Sequence, residues 1–293
     1  MARARGAWLQ IVLWIVLIAW TLFALFPIYW TFITSVKPQK AVNSPRPTFF
    51  PWIDFQPTLK PFADIFVPSQ NQGYGVSGMG QVGLLMRNSF GAAFFSALFS
   101  VILGAMAAYA LSRFKYRRWS NQSIAFWFVS QRMLPPIALV VPYFILFGRL
   151  DLLDRLPTLI AVYTAMNLPL VIWLLRDYFT DLPLEIEEAA LVDGDSRYGA
   201  FFRIILPLAL PGLVVAFLFA FIFSWNDFLF ALTLTVQNAK TLPLQLAGNV
   251  TLRGPRYWDI AAQGLVVMLP PLIIALLAGR YIVRGLTLGA INK

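Results

Sequence analysis

Long apolar stretches with almost no charge alternate along the chain with short polar segments. Six of them run over Ala7–Val36, Asn88–Ser112, Trp119–Gly148, Leu156–Leu175, Ile204–Ala239 and Ile260–Gly279. Each is long enough for the ~20 residues that a helix needs to cross a bilayer. The pattern predicts an all-α membrane protein with six transmembrane helices. Pro27, Pro135, Pro136, Pro142, Pro169, Pro211, Pro270 and Pro271 fall inside the stretches, where neighbouring helices can satisfy the carbonyls a proline frees, so kinked helices are expected. The first stretch follows Arg3 and Arg5, exceeds a signal-peptide core in length and lacks a clear cleavage site, and it reads as an uncleaved anchor.

Composition sharpens this picture. Of the 293 residues, 59% are hydrophobic and only 12% charged, which points to lipid. Histidine and cysteine are both absent, which removes thiol nucleophiles, disulfides, histidine relays and the usual zinc and haem sites, and no other metal site is expected. The net charge of +10 is carried beside the spans, where it sets topology, and no soluble basic segment exists to form a nucleic-acid surface.

The distribution of lysine and arginine orients the chain. With the N-terminus inside, inner segments hold twelve basic residues and outer segments ten. Half of the outer ten lie in the long segment 37–87, and long translocated loops count little. The dense cluster Arg113, Lys115, Arg117 and Arg118 occupies a short loop. Both termini are therefore expected in the cytoplasm, with 37–87 as an extracytoplasmic loop and 176–203 as a cytoplasmic one. The outer loop is rich in proline, with Thr58–Val67 as a short amphipathic helix, and residues 1–293 read as a single membrane domain.

One inner segment is unusually polar for so apolar a chain. Residues Asp181–Pro207, DLPLEIEEAALVDGDSRYGAFFRIILP, read as two short helices joined at Gly194, where a left-handed turn is least costly. Asp181 is the expected N-cap, Pro183 an early helical residue and Asp195 the cap of the second helix. Glu185 and Glu188 share a face at i, i+3, and Ile186, Ala189 and Ala190 form a shallow apolar one. Alanines that permit close approach beside carboxylates fit a docking knob for a basic partner; a solvated re-entry helix fits the same pattern.

The spacing of Glu188-Ala189-Ala190, then Gly194, then Ile204-x-Leu206-Pro207 resembles the EAA motif in the membrane subunits of binding-protein-dependent ABC importers. "RNSF" at Arg87–Phe90, "SWNDFLFALTL" at Ser224–Leu234 and "RGLTLGAINK" at Arg284–Lys293 extend the resemblance over nearly the whole chain, toward the carbohydrate branch that includes the smaller maltose-type permease. The resemblance implies a cytoplasmic coupling helix between the fourth and fifth spans, with Glu185, Glu187, Glu188, Ala189, Ala190, Asp193, Gly194, Leu206 and Pro207 coupling to an ATPase. It further implies a C-terminal ATPase contact through Thr287, Gly289 and Asn292. The implied partners are a second homologous permease, two copies of an ABC ATPase, an extracytoplasmic binding protein and membrane lipid. No G-x-x-x-x-G-K-[ST] occurs in the chain, so ATP and magnesium are expected on the partner ATPases and no cofactor on this subunit.

Polar residues inside the apolar stretches mark the candidate substrate path: Asn88, Gln131, Arg132, Asn167, Trp225, Asn226, Asp227 and Gln263. A charge there costs ~2.5–3.5 kcal/mol on insertion scales and normally faces a cavity or a partner. Amides and carboxylates beside aromatic faces suit sugar hydroxyls and C–H faces. The same groups also serve as polar glue between helices, and Arg132 as a counter-ion. The resulting expectation is an importer permease for a sugar or sugar alcohol, integral to the inner membrane and not itself an enzyme. The alternative is an ion-coupled transporter or channel using Asp227.

Overall fold

The computed structural model describes residues 2–66, 79–247, 250–251, 254–255 and 257–288. Helices dominate because nothing in hydrocarbon can satisfy an open backbone, and a helix closes its own hydrogen bonds. Four are long and apolar enough to cross a membrane: Gln10–Val36, Val82–Arg113, Leu156–Asp181 and Tyr257–Gly279. They belong to helices α1 (Ala2–Val36), α4 (Met79–Arg113), α7 (Leu156–Asp181) and α14 (Tyr257–Leu288). Between them lie α2 (Gln39–Val42), α3 (Lys60–Phe66), α5 (Asn121–Gln131), α6 (Pro136–Arg149), α8 (Leu184–Val192) and α9 (Arg197–Ala200). A π-helical turn, Phe201–Ile205, then leads to α10 (Leu206–Leu208), α11 (Leu210–Trp225), α12 (Leu229–Leu234) and α13 (Leu242–Ala247). Val250–Thr251 and Gly254–Pro255 form a minimal antiparallel ladder.

The other two expected spans are broken. Asn121–Gln131 with Pro136–Arg149 bends by 81°, and Arg197–Leu208 with Leu210–Trp225 by 75°, which makes six spans in all when each pair counts as one. The first break follows from Pro135 and Pro136, which stop α5 at Gln131 and start α6. Arg132 therefore sits in a gap between helices and not in the middle of a continuous one. In the fifth stretch, α11 ends at Trp225, so Asp227 lies beyond its C-terminus.

Two boundaries are also corrected. The expected outer loop 37–87 ends early, because α4 starts at Met79 and carries Arg87 within it. Asp181 closes α7 and Pro183 is the N-cap of α8, because the fourth span stays helical past its last apolar turn. Residues 176–181 of the expected coupling loop are thus helix. The short helix expected near Thr58–Val67 is present as α3. Within Asn71–Gly80, the least typical part of the outer loop, residues 71–78 lie outside the described set.

Contacts group the chain into two units, residues 1–83 with 246–268 and residues 84–245 with 269–293. In the first, the segment after α1 folds back on the helix end. Ile33, Val36 and Phe55 form its small core, and Thr58 N donates to the Val36 carbonyl at 2.8 Å. The Lys37 ammonium donates to the Thr48 carbonyl at 2.5 Å and lies 4.4 Å from the centroid of the Trp30 ring. Burial pulls the Lys37 pKa below the usual lysine range, against the opposing charge of Asp54.

The second unit holds the main core. Ala93, Ala97, Ala105 and Ala108 of α4 meet Val171, Leu175 and Phe179 of α7, together with Ala216, Ala220 and Phe221 of α11. Lipid provides no hydrophobic drive between helices, so small residues that let backbones approach carry the packing. Gly104 shows the limit: a Cβ there would lie 2.6 Å from Val171 Cγ1.

The turn between α6 and α7 is tied to the segment after α12 by a single carboxylate. Asp154, at φ 58°, accepts from the backbone N–H groups of Val236, Gln237, Asn238 and Ala239 at 2.9–3.1 Å. From the other side, Asn88 of α4 donates to the carbonyls of Asn238 and Lys240, and Ser89 Oγ accepts from Leu242 N at 2.7 Å. Burial alone would raise the Asp154 carboxyl, but the amides of Asn238, Val236, Ala239 and Gln237 outweigh it and hold its pKa at about 2. The unfolded value is ~4, so this tie is fully present above that value and is lost only as pH falls through about 2. Asp154→Ala is expected to speed amide exchange at residues 236–239 by about tenfold or more, the equivalent of one charge-assisted hydrogen bond. Exchange corrected for intrinsic rate should be flat in the parent from about pH 5 to about pH 8.

Candidate functional site

The polar island is built around the end of α4. Helix α8 has nine residues, fewer than the ~12–15 at which isolated helices become stable, so its caps and docking must hold it. Glu185 and Glu187 in its first turn complement the helix dipole. Its end is a Schellman turn: Gly194 N donates to the Leu191 carbonyl at 3.2 Å and Asp195 N to the Ala190 carbonyl at 3.0 Å. Gly194 has φ 90°, which a side chain would strain although the space around it is open. The next helix is capped by Ser196, whose hydroxyl accepts from Gly199 N at 3.1 Å. Asp195, the expected cap, instead accepts from Ser196 N and pairs at 3.6 Å with Arg203, because the Schellman turn places it one residue too early.

Helix α8 turns Glu187 and Ala190 inward and leaves Glu185, Ile186, Glu188, Ala189, Val192 and Asp193 exposed. Glu187 is only 4% exposed. Tyr109 donates its hydroxyl to Glu187 Oε1 at 2.5 Å, and Arg113 Nε donates to Oε2 at 3.0 Å. Arg113 also donates through Nη2 to the Leu182 carbonyl at 3.1 Å, holding the link between α7 and α8. The Tyr109 ring meets Phe179 edge-on and lies tilted against Phe201, and the Arg197 guanidinium lies 5.1 Å from the Phe114 ring. Tyr109, Arg113 and Phe114, at or just past the end of α4, therefore receive contacts from the link before α8, from α8 itself, from α9 and from the π-helical turn. Removing one partner of such a buried pair costs about 3–5 kcal/mol, since a charge is stranded.

This geometry corrects the expected faces of the helix. Ala190, expected on the apolar face with Ile186 and Ala189, is buried, and Glu187, expected among the ATPase-coupling residues, turns inward. Leu206 packs into the core, and Pro207 is exposed at the start of α10. Thr287 lies in α14, while Gly289 and Asn292 fall outside the described residues.

The candidate path residues divide into two groups. Asn167 is buried and donates to Ser224 Oγ at 2.8 Å and to the Ala220 carbonyl at 3.3 Å; Ser96 Oγ donates to Ser224 Oγ at 2.9 Å. These three side chains join α4, α7 and α11. Asp227 accepts from Tyr163 Oη at 2.8 Å and from the amides of Phe230 and Ala231, which caps α12. Trp225 is buried against Phe221, Asn88 holds the connector after α12 and Gln263 is buried. By contrast, Asn226 is exposed and Gln131 and Arg132 are part-exposed. The Arg132 guanidinium lies 4.3 Å from the Phe223 ring centroid, and its Nη1 is buried with no hydrogen-bond partner among the described residues. Sequence reasoning missed Tyr109, Arg113 and Asp154; Arg113 was visible only as part of a basic cluster.

Residues 100–288 match the family described as the binding-protein-dependent transport system inner membrane component. The chain belongs to this family. It is 34% identical to the trehalose transport system permease protein SugB of Mycobacterium tuberculosis, over 92% of this chain and 93% of that protein. It is 31% identical to the trehalose/maltose transport system permease protein MalG of Thermococcus litoralis, over 97% of each. Its fold is similar to a chain in the crystal structure of a bacterial ABC transporter involved in the import of the acidic polysaccharide alginate, with a TM-score of 0.70 at 23% identity, covering 93% of this chain and 96% of that one.

The chain is thus an integral inner-membrane permease of an ABC importer, a transport subunit that works with an ATPase and a substrate-binding protein. The ion-coupled reading of Asp227 gains no support from the family, and in this structure its Oδ2 serves to tie Tyr163 of α7 to the start of α12. If Asn167 is polar glue, Asn167→Leu should destabilise the permease by about 0.6–1.7 kcal/mol. That loss would be read as a lower melting temperature of the solubilised protein with transport per folded molecule preserved. Lost transport at an unchanged melting temperature would return Asn167 to the path.

Proposed function

We propose that this permease carries a sugar or sugar alcohol across the inner membrane by alternating access, as one half of a translocation pathway shared with a second, homologous permease. Two ATPase subunits, which bind ATP and magnesium, dock on the cytoplasmic side, and both termini of this chain lie on that side. The observation that carries the docking half of this reading is the outward face of α8. Glu185 and Glu188 there flank Ile186, Ala189 and Val192, and Val192 is 87% exposed. Apolar side chains held out of a polar loop between carboxylates suit a basic, grooved protein partner. The basic cluster Arg113–Arg118 on the preceding inner loop supports the orientation.

The carbohydrate half rests on the relatives, two of which are named as trehalose or trehalose/maltose permeases. Among the candidate path residues, Gln131, Arg132 and Asn226 keep exposed surface that a passing substrate can reach.

The test is reconstitution with the ATPase and the binding protein, with hydrolysis measured against a panel of sugars and polyols. Stimulation by one of them, with uptake, is the expected outcome; uptake driven by protons or sodium without ATP would reject the reading. Glu188→Lys should leave membrane insertion intact and lower both ATPase occupancy and uptake by about tenfold or more, as expected of a charge reversal in an interface. Normal occupancy and uptake would remove α8 from the docking surface.

A further inference from the structure

The exposed face of α8 explains how a partner could grip the permease and leaves open how its motion would reach the spans. The covalent routes are poor transmitters. On one side, α8 joins α7 through Leu182 and Pro183, a two-residue non-helical link. On the other, it meets the glycine turn at Gly194, then the four-residue α9 and a π-helical turn before α10. The non-covalent route is short and buried. Glu187 joins Tyr109 and Arg113, with side chains of the ion pair 6% and 5% exposed, and Arg113 also holds the Leu182 carbonyl. Tyr109 and Arg113 close α4, a helix of 35 residues that packs on α7 and α11 through Ala93, Ala97 and Gly104 and reaches Asn88 and Ser89 at the opposite connector.

We propose that Glu187 is a positioning residue that makes α8 and α4 move as one body, so that displacement of the coupling helix is delivered to α4 through the Glu187–Arg113–Tyr109 tie. The neighbouring Glu188 faces the partner; Glu187 faces the permease. This deepens the docking assignment for α8 and rests on it. A compact, water-poor tie suits the task, because an ion pair with a short hydroxyl bond fixes both distance and direction. Exposed pairs such as Arg203–Asp195 on the same loop are screened and would slip.

The test is the ratio of substrate molecules taken up to ATP hydrolysed by the full reconstituted complex, which counts only folded, assembled molecules. Glu187→Gln keeps the volume and the Tyr109 hydrogen bond while removing the charge that Arg113 meets. Its complexes should retain the ATPase subunits and binding-protein-stimulated hydrolysis within about twofold, while uptake per ATP falls by about fivefold or more, the lower range of site-to-site coupling. A merely structural tie would lower yield and melting temperature and leave that ratio at the parent value, and this result would overturn the proposal.

Where the glutamine variant does not assemble, Arg113→Lys serves in its place. It keeps the charge but replaces the Nε–Nη2 fork that meets Glu187 and the Leu182 carbonyl with a single flexible nitrogen, and the same fall in the ratio is expected. An unchanged ratio in the lysine variant likewise overturns the proposal. Glu188→Lys separates the two readings. If it loses the ATPase while Glu187→Gln keeps a parental ratio, the docking face stands and the tie does not; if Glu188→Lys binds and transports normally, both fall.

Discussion

The buried pair between Glu187 and Arg113 is the constraint on which the arrangement of the polar island depends. Helix α8 is too short to persist alone, and nothing apolar of any size on its inner face replaces the pair: Ala190 is the other inward residue. A buried ion pair is not a cheap source of stability, since well-packed apolar residues often do as well. What it provides is register. Arg113 can meet Glu187 Oε2 and the Leu182 carbonyl together only when α8 sits at one rotation and one height against α4. That rotation decides which carboxylate faces out. The exposed surface of α8 is therefore a consequence of an interaction buried behind it.

Helix α4 carries the consequence further. From Asn88 to Arg113 it spans 25 steps, about 38 Å at ~1.5 Å per residue, and along this length its partners change character. Tyr109 and Arg113 at one end hold the coupling loop, Ser96 and Gly104 in the middle meet α7 and α11, and Asn88 and Ser89 at the other end hold the connector after α12. The same connector is gripped by Asp154. Small residues in the middle and specific hydrogen bonds at the ends are what a bundle in lipid requires, because apolar bulk alone gives no preference for one neighbour over another.

Much of this was legible from sequence where the signal is local. The apolar stretches, the left-handed position of Gly194 and the proline interruption at Pro135 and Pro136 each depend on a few adjacent residues. The inward turn of Glu187 depends on Arg113, 74 positions away, and three nearby glutamates look alike to any local pattern. The ends of α5 and α11 were hidden for another reason: the apolar run continues through them, and hydropathy does not register a broken hydrogen-bond ladder. Asp154 was unreadable because its partners are backbone amides, which every sequence offers everywhere.

The two helix breaks change what the intramembrane polar residues mean. A polar side chain on an intact helix must find its partner sideways, as Asn167 does on Ser224. At a break, the helix ends themselves expose donors and acceptors, and a polar residue placed there can serve the fold and the pathway in turn. Asp227 serves the fold through Oδ2, which accepts from Tyr163 on one helix and from the amides of Phe230 and Ala231 on the next. Arg132 rests on the Phe223 ring two residues before the end of α11, with part of its guanidinium fork unengaged among the described residues. The contact that holds this cation is the face of the Phe223 ring, 4.3 Å from the guanidinium. Its position joins the break in the third span to the end of α11, so an occupant of that fork would bear on two helix ends at once.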